Sequence, residues 1–164
     1  MVQVRVVGIA LDQSGQHVLL LKPLDDLPGA GQVLPIWIGE LEATSILIAV
    51  EGATAPRPLA HDLMRSLLAE TGASVTRVEV ARIDGGTYYA EITLATPAGT
   101  RLVDARPSDA IALASRVGAP LWVADEVMAE AGVTDMTLGE DATQERIEEF
   151  REFLDEVDPD DFRG

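Results

Sequence analysis

The sequence predicts an α+β domain in which helices pack against a mixed, largely antiparallel sheet of six to seven strands. Three observations predict it. Strand-like segments come in two groups of three, and helical segments follow each group. Turn signals separate the strands within a group, the strongest being Asp84-Gly85-Gly86 between 74–83 and 87–96. Finally, 164 residues with 47% hydrophobic content can bury a full core, and with aromatics at 4% that core must be aliphatic and rich in Ala.

Each element has a local cause. Residues 2–11 alternate at Val2, Val4 and Val6, then slip phase near Gly8 as a bulge does. Asp12-Gln13-Ser14-Gly15 is a turn into a second strand at 17–22, which Pro23 ends. After a Gly/Pro/Asp loop, 33–38 is a third strand, and Pro35 predicts an edge or a strand start there. A helix over 40–51 opens with Glu40 and Glu42, which suit the positive end of its dipole, and stops at Gly52. A second helix over 59–71 follows Pro58, and Leu59, Leu63 and Leu67, joined by Met64 and Leu68, form its expected core-facing stripe. In the strand 87–96, Tyr88, Ala90, Ile92 and Leu94 share one face. Pro97-Ala98-Gly99 turns into a strand at 100–104. Pro107 then opens a helix that runs to Arg116 and is closed by Gly118, because proline at the first helical position loses no hydrogen bond. A short strand at 120–123 and a short helix at 125–131 complete a body spanning 1–132. The two strand–strand–strand–helix halves echo one another without any repeat in the residues.

Residues 133–164 read as an acidic helical extension. Ile147, Phe150, Leu154 and Val157, with Phe153 beside them, make one apolar stripe. That stripe either docks on the body or takes a protein partner.

Composition excludes several functions. Cysteine is absent, so no disulfide framework or thiolate metal site is possible. His17 and His61 are the only histidines, too few for a multi-His zinc site within one chain. The N-terminus lacks the blocks of a signal peptide, and the longest apolar run, Ile46 to Val50, is too short to span a bilayer. A soluble, cytoplasmic protein without membrane contact is the expectation. The net charge of −16 opposes tight coating of nucleic acid. Twelve acids and three bases fall in 135–164, against sixteen acids and nine bases in the first 134 residues.

Polar residues concentrate at three helix starts. The first segment is Leu34-Pro35-Ile36-Trp37-Ile38-Gly39-Glu40-Leu41-Glu42-Ala43. The second is Arg57-Pro58-Leu59-Ala60-His61-Asp62-Leu63. The third is Asp104-Ala105-Arg106-Pro107-Ser108-Asp109-Ala110-Ile111-Ala112-Leu113-Ala114. In this order, with Tyr88-Tyr89-Ala90 between the second and third, they resemble the bifunctional nuclease domain family over roughly residues 1–130. Ala60 stands where that family usually carries Thr, so a hydroxyl is missing before His61-Asp62. The resemblance implies an α+β fold, a homodimer or higher homo-oligomer, and activity on DNA and RNA.

The residue types suit phosphodiester hydrolysis, which needs a polarised phosphoryl group, an activated water and a protonated leaving oxygen. Histidine is the side chain type suited to proton transfer at neutral pH, so His61 is the candidate general base, with Asp62, Asp104 and Asp109 as further catalytic candidates. Arg57 and Arg106 can clamp phosphate oxygens beside helix N-termini. Glu42, Asp104 and Asp109 are candidate ligands for a divalent metal, Mg or Mn. If strands 33–38 and 100–104 run parallel, both helix starts lie at one end of the sheet. Each residue also has a plainer role. The acids can satisfy helix N-termini, Asp104 can pair with Arg106 or cap the next helix, and the arginines can bridge to the acids. A non-catalytic oligomeric module that binds an anion or a protein is therefore the alternative function.

Overall fold

The computed structural model describes residues 1–24 and 31–135 together with Glu152, Asp155 and Glu156. The apolar stripe expected in the C-terminal extension, Ile147 to Val157, lies outside the described residues.

Two antiparallel meanders build the sheet. The first joins β1 (Val2–Leu11), β2 (His17–Pro23) and β3 (Gln32–Ile38). The second joins β4 (Ser74–Asp84), β5 (Thr87–Thr96) and β6 (Gly99–Ala105). Strand β7 (Leu121–Val123) lies between them, antiparallel to β1 and parallel to β4. The order is β6-β5-β4-β7-β1-β2-β3-β8, so the echo between the halves is real in topology. An eighth strand, β8 (Val133–Thr134), exceeds the expected six to seven and carries the sheet past residue 132. Its two residues pair with Gln32 and Val33 only, so beyond them β3 is an edge, and the missing N–H of Pro35 removes no ladder bond there. The register of β1 shifts between Val6 and Gly8, the expected bulge. Gly85 and Gly86 take φ of +55° and +79° in the tight β4–β5 turn, a conformation that L side chains disfavour.

Four helices complete the body: α1 (Glu40–Val50), α2 (Ala60–Glu70), α3 (Pro107–Val117) and α4 (Asp125–Ala131). The main core joins Leu19, Leu21, Leu34, Ile36, Val78, Val80, Ala90 and Ile92 of the sheet to Ala43, Ile46, Ile111, Leu113, Val127 and Met128 of the helices. A smaller cluster, Val18, Val33 and Trp37, packs on alternate positions of β2 and β3, with Val133 against it. There the Trp37 indole donates to the buried Asp12 carboxylate at 3.1 Å. Among the described residues no helix is long and apolar enough to cross a membrane.

Two expectations are overturned. The stripe on α2 does not face the core: Leu63, Met64 and Leu67 are 53%, 40% and 57% exposed. The buried residue of α2 is His61, and Leu68, two turns on along the same face, packs against the core. The polar bonds of the imidazole to α1 and α3 set the rotation of this helix. Strands β3 and β6 also do not run parallel; following the pairings across the sheet gives them opposite senses. The helix starts meet by another route. Strand twist accumulates across the sheet. The Tyr88 hydroxyl on β5 thereby reaches the Pro35 carbonyl on β3 at 3.1 Å, although four strands separate them in the hydrogen-bonded order. Helix α3 packs on both α1 and α2, which brings the three N-terminal turns together.

Candidate active site

The site grows from the first turns of α1, α2 and α3. Pro107 at the first position of α3 leaves Arg106 as its extended N-cap, and Asp109 follows one turn inside. The Arg106 Nε donates to Asp109 Oδ2 at 2.8 Å, and its Nη2 donates to Glu42 Oε1 on α1 at 2.9 Å. The other Asp109 oxygen meets His61 Nε2 at 2.9 Å. The second ring nitrogen, Nδ1, meets the Ser45 hydroxyl of α1 at 2.7 Å. Behind Ser45 lies Arg116, whose side chain is only 4% exposed. It donates to Asp62 Oδ1 at 2.8 Å, Ser45 Oγ at 3.0 Å, the Ser45 carbonyl at 3.1 Å and the Ala112 carbonyl at 2.9 Å. Asp62 also accepts the Leu59 N–H at 2.9 Å. Glu42, Arg106, Asp109, His61, Ser45, Arg116 and Asp62 thus form one continuous network.

Its electrostatics follow from these bonds. Burial acts to raise the Asp109 carboxyl, but hydrogen bonds from Arg106 and His61 outweigh it and hold the group below its ordinary range. The Leu59 N–H and then Arg116 hold Asp62 down in the same way. The Asp109 carboxylate raises Arg106, which stays a cation. Asp109 therefore accepts only, and His61 Nε2 must carry the hydrogen between them.

A cavity of about 360 Å³ opens over this network, lined by Leu41, Glu42, Ser45, His61, Arg106 and Asp109 among others. Ser45, His61 and Asp109 have the composition of a nucleophilic triad. However, Ser45 is buried in the interior of α1 and its oxygen accepts from Arg116, so it orients the imidazole rather than attacking a substrate.

Of the residues expected from sequence, the structure brings together Glu42, His61, Asp109 and Arg106, with Asp62 one link behind through Arg116. The plainer reading of Asp62 holds, since it accepts the Leu59 N–H at the start of α2. Asp109 turns away from that role, and no side chain caps α3. Arg57 and Asp104 stand apart from the network. Both are exposed and neither has a salt bridge among the described residues; Asp104 lies on edge strand β6 opposite Glu91. Asp104 neither pairs with Arg106 nor caps α3, because Arg106 is taken by Glu42 and Asp109.

Among the described residues no three or more His, Asp or Glu side chains gather closely enough to hold a metal ion. Glu42 and Asp109 offer the hard oxygens that Mg²⁺ or Mn²⁺ prefers. Each gives an oxygen to Arg106, however, and Asp104 does not join them. The expected three-carboxylate set does not fit a metal as arranged, and no step below runs through one.

Sequence reasoning missed Ser45 and Arg116. The available signals were a serine among apolar neighbours in α1 and an arginine in the last turn of α3, where a dipole role explains it equally well.

Fold and site together define an α+β domain with a largely apolar cavity over a charged network built on three helix starts. The chain belongs to the bifunctional nuclease domain family, whose match covers residues 23–136. Two proteins of Mycobacterium tuberculosis, both named as uncharacterized, are 42% identical to it over 168 residues, 99% of this chain and 98% of theirs. Bifunctional nuclease 1 and Bifunctional nuclease 2 of Arabidopsis thaliana are 26% and 28% identical over 119 and 120 residues, 71% of this chain and 36% of each relative.

Proposed function

We propose that this chain hydrolyses phosphodiester bonds in DNA and RNA at the cavity beside Arg106. The observation that carries this reading is Arg106 itself. Its side chain is 57% exposed, and only two of its five N–H donors are committed, to Glu42 and Asp109. Those carboxylates set the plane of the guanidinium and leave three donors for the non-bridging oxygens of a phosphodiester. The ionised Asp109 orients a water toward phosphorus. As the water oxygen bonds to phosphorus the bond to the leaving oxygen breaks; solvent takes the proton of the water and supplies one to the leaving group. Both ring nitrogens of His61 are engaged inside the network, so it acts through Asp109. Arg57, exposed before α2, takes a neighbouring phosphate. The nuclease names of the plant relatives support the same chemistry.

Three further features belong to this proposal. With a net charge of −16, binding to nucleic acid is weak and fades with salt. The outward leucines of α2, Leu63 and Leu67, are the surface we assign to a homodimer. A metal form, with Mg²⁺ or Mn²⁺, would require Glu42 and Asp109 to leave Arg106 before they could hold the ion.

The test is cleavage of labelled single-stranded DNA and RNA by protein purified to constant specific activity, with Mg²⁺, with Mn²⁺ and with EDTA. Activity that survives EDTA and is lost in Arg106→Ala supports the arginine-centred form; activity lost in EDTA supports the metal form. The pairing of every acid in the network favours a second reading, a non-catalytic module that binds an anion or a protein. Equal cleavage by wild type and an Arg106→Ala/His61→Ala double variant would indicate a contaminant and favour that reading.

A further inference from the structure

The interior of the network carries an inference about two residues that never reach the substrate. Arg116 is all but enclosed, and four of its five N–H groups are committed at 2.8 to 3.1 Å, so the guanidinium cannot rotate. Arginine only donates. Its Nη2 hydrogen therefore occupies a lone pair of Ser45 Oγ and turns the serine hydrogen toward its remaining close partner, His61 Nδ1 at 2.7 Å. An Nδ1 that accepts is bare. Nε2 carries the ring hydrogen, because it faces the Asp109 carboxylate.

We infer that Ser45 and Arg116 are positioning residues that fix the orientation and tautomer of the His61 ring, with Nδ1 accepting from the serine hydroxyl and Nε2–H given to Asp109. The carboxylate is thereby kept as an acceptor with one oxygen on His61 and the other on Arg106. The consequence for turnover rests on the nuclease reading; the state of the ring does not. Without the serine hydrogen, a buried Nδ1 loses its donor beside an ionised Asp109. The ring is then no longer held to one tautomer: its hydrogen is shared between Nδ1 and Nε2, and Asp109 loses the fixed donor that keeps its other oxygen facing Arg106.

The experiment is ¹⁵N spectroscopy of the histidine side chains at neutral pH in the full chain. Only two histidines are present, and His17→Gln assigns the signals. Wild type is expected to show a pyridine-type Nδ1 and a pyrrole-type Nε2 for His61. In Ser45→Ala the Nδ1 signal is expected to move toward the pyrrole-type position, and Ser45→Thr, which keeps the hydroxyl, to restore it. Arg116→Lys retains a cation near Asp62 while losing the reach to Ser45 Oγ; it is expected to move Nδ1 as Ser45→Ala does, and it serves if the alanine variant does not fold. In turnover, the same variants are expected to lower kcat at least tenfold with KM within twofold, because Arg106 and its phosphate donors are untouched. A protonated Nδ1 in wild type, or an Nδ1 signal unchanged in both variants, overturns the inference. If the ring behaves as expected and wild type cleaves nothing, the positioning stands and the nuclease reading falls.

Discussion

Replacing Arg116 with Met tests how much the buried network contributes to the fold. Met fills much of the same volume, so the change removes charge and donors more than packing. Four hydrogen bonds between 2.8 and 3.1 Å are lost, one to a carboxylate and three to neutral oxygens. Removing one partner of a buried charged pair costs about 3–5 kcal/mol. Asp62 is 23% exposed and keeps the Leu59 N–H, so it rehydrates in part and the cost falls at the low end. The expected loss is about 3 kcal/mol, which for a chain of this size lowers Tm by about 6–12 °C. Urea denaturation followed by far-UV circular dichroism checks it, with an unchanged m-value confirming that the folded state is the same. A loss below about 1 kcal/mol would mean that Arg116 behaves like an exposed ion pair, and the argument from its burial would be refuted.

Asp62 and Asp109 are both held below the ordinary aspartate value of 3.8, so their stabilisation is present above that pH and is lost as pH falls through their lower folded values. Acid titration of stability should steepen below pH 3.8, and Asp109→Asn should flatten that limb; identical acid limbs would contradict the assignment. Gly118 closes α3 at φ +70°, and an added Cβ would meet nothing within 4 Å, so Gly118→Ala should cost about 1 kcal/mol from backbone strain alone, read by the same denaturation. If Arg57 and Arg106 are the phosphate contacts, the affinity for a single-stranded oligonucleotide measured by fluorescence anisotropy should fall with salt at a log–log slope of about −1.4, two contacts at about −0.7 each; a slope steeper than about −4 would require phosphate contacts beyond these two arginines.

Much of the fold was legible because local chemistry decides it. Gly8 marks the bulge; Gly85 and Gly86 mark the hairpin and Gly118 the end of α3 through a positive φ that few other residues accept, and Pro107 marks the start of α3 because its missing N–H is not needed there. The rotation of α2 was not legible. Leucine spacing places Leu63 and Leu67 inward, but His61 takes that position because Ser45 and Asp109 satisfy both of its nitrogens, and those partners lie 16 and 48 residues away. The eighth strand escaped notice because two residues carry no periodicity. At the site, Arg106 and Asp109 were legible as neighbours on one helix start, and Glu42 was a plausible third. That Asp104, only two residues before Arg106, would stay on an exposed edge depends on the end of β6 and the turn into α3, which no residue spacing reveals.

The central claim is that Arg106 seats the scissile phosphate, and its most direct test is the rate at which Arg106→Ala cleaves a labelled single-stranded oligonucleotide relative to wild type. Losing a preorganised donor of this kind is expected to lower kcat/KM by about 100-fold or more while the far-UV spectrum stays unchanged. Equal rates for the two proteins would contradict the account and leave the cavity over α1, α2 and α3 without a catalytic role.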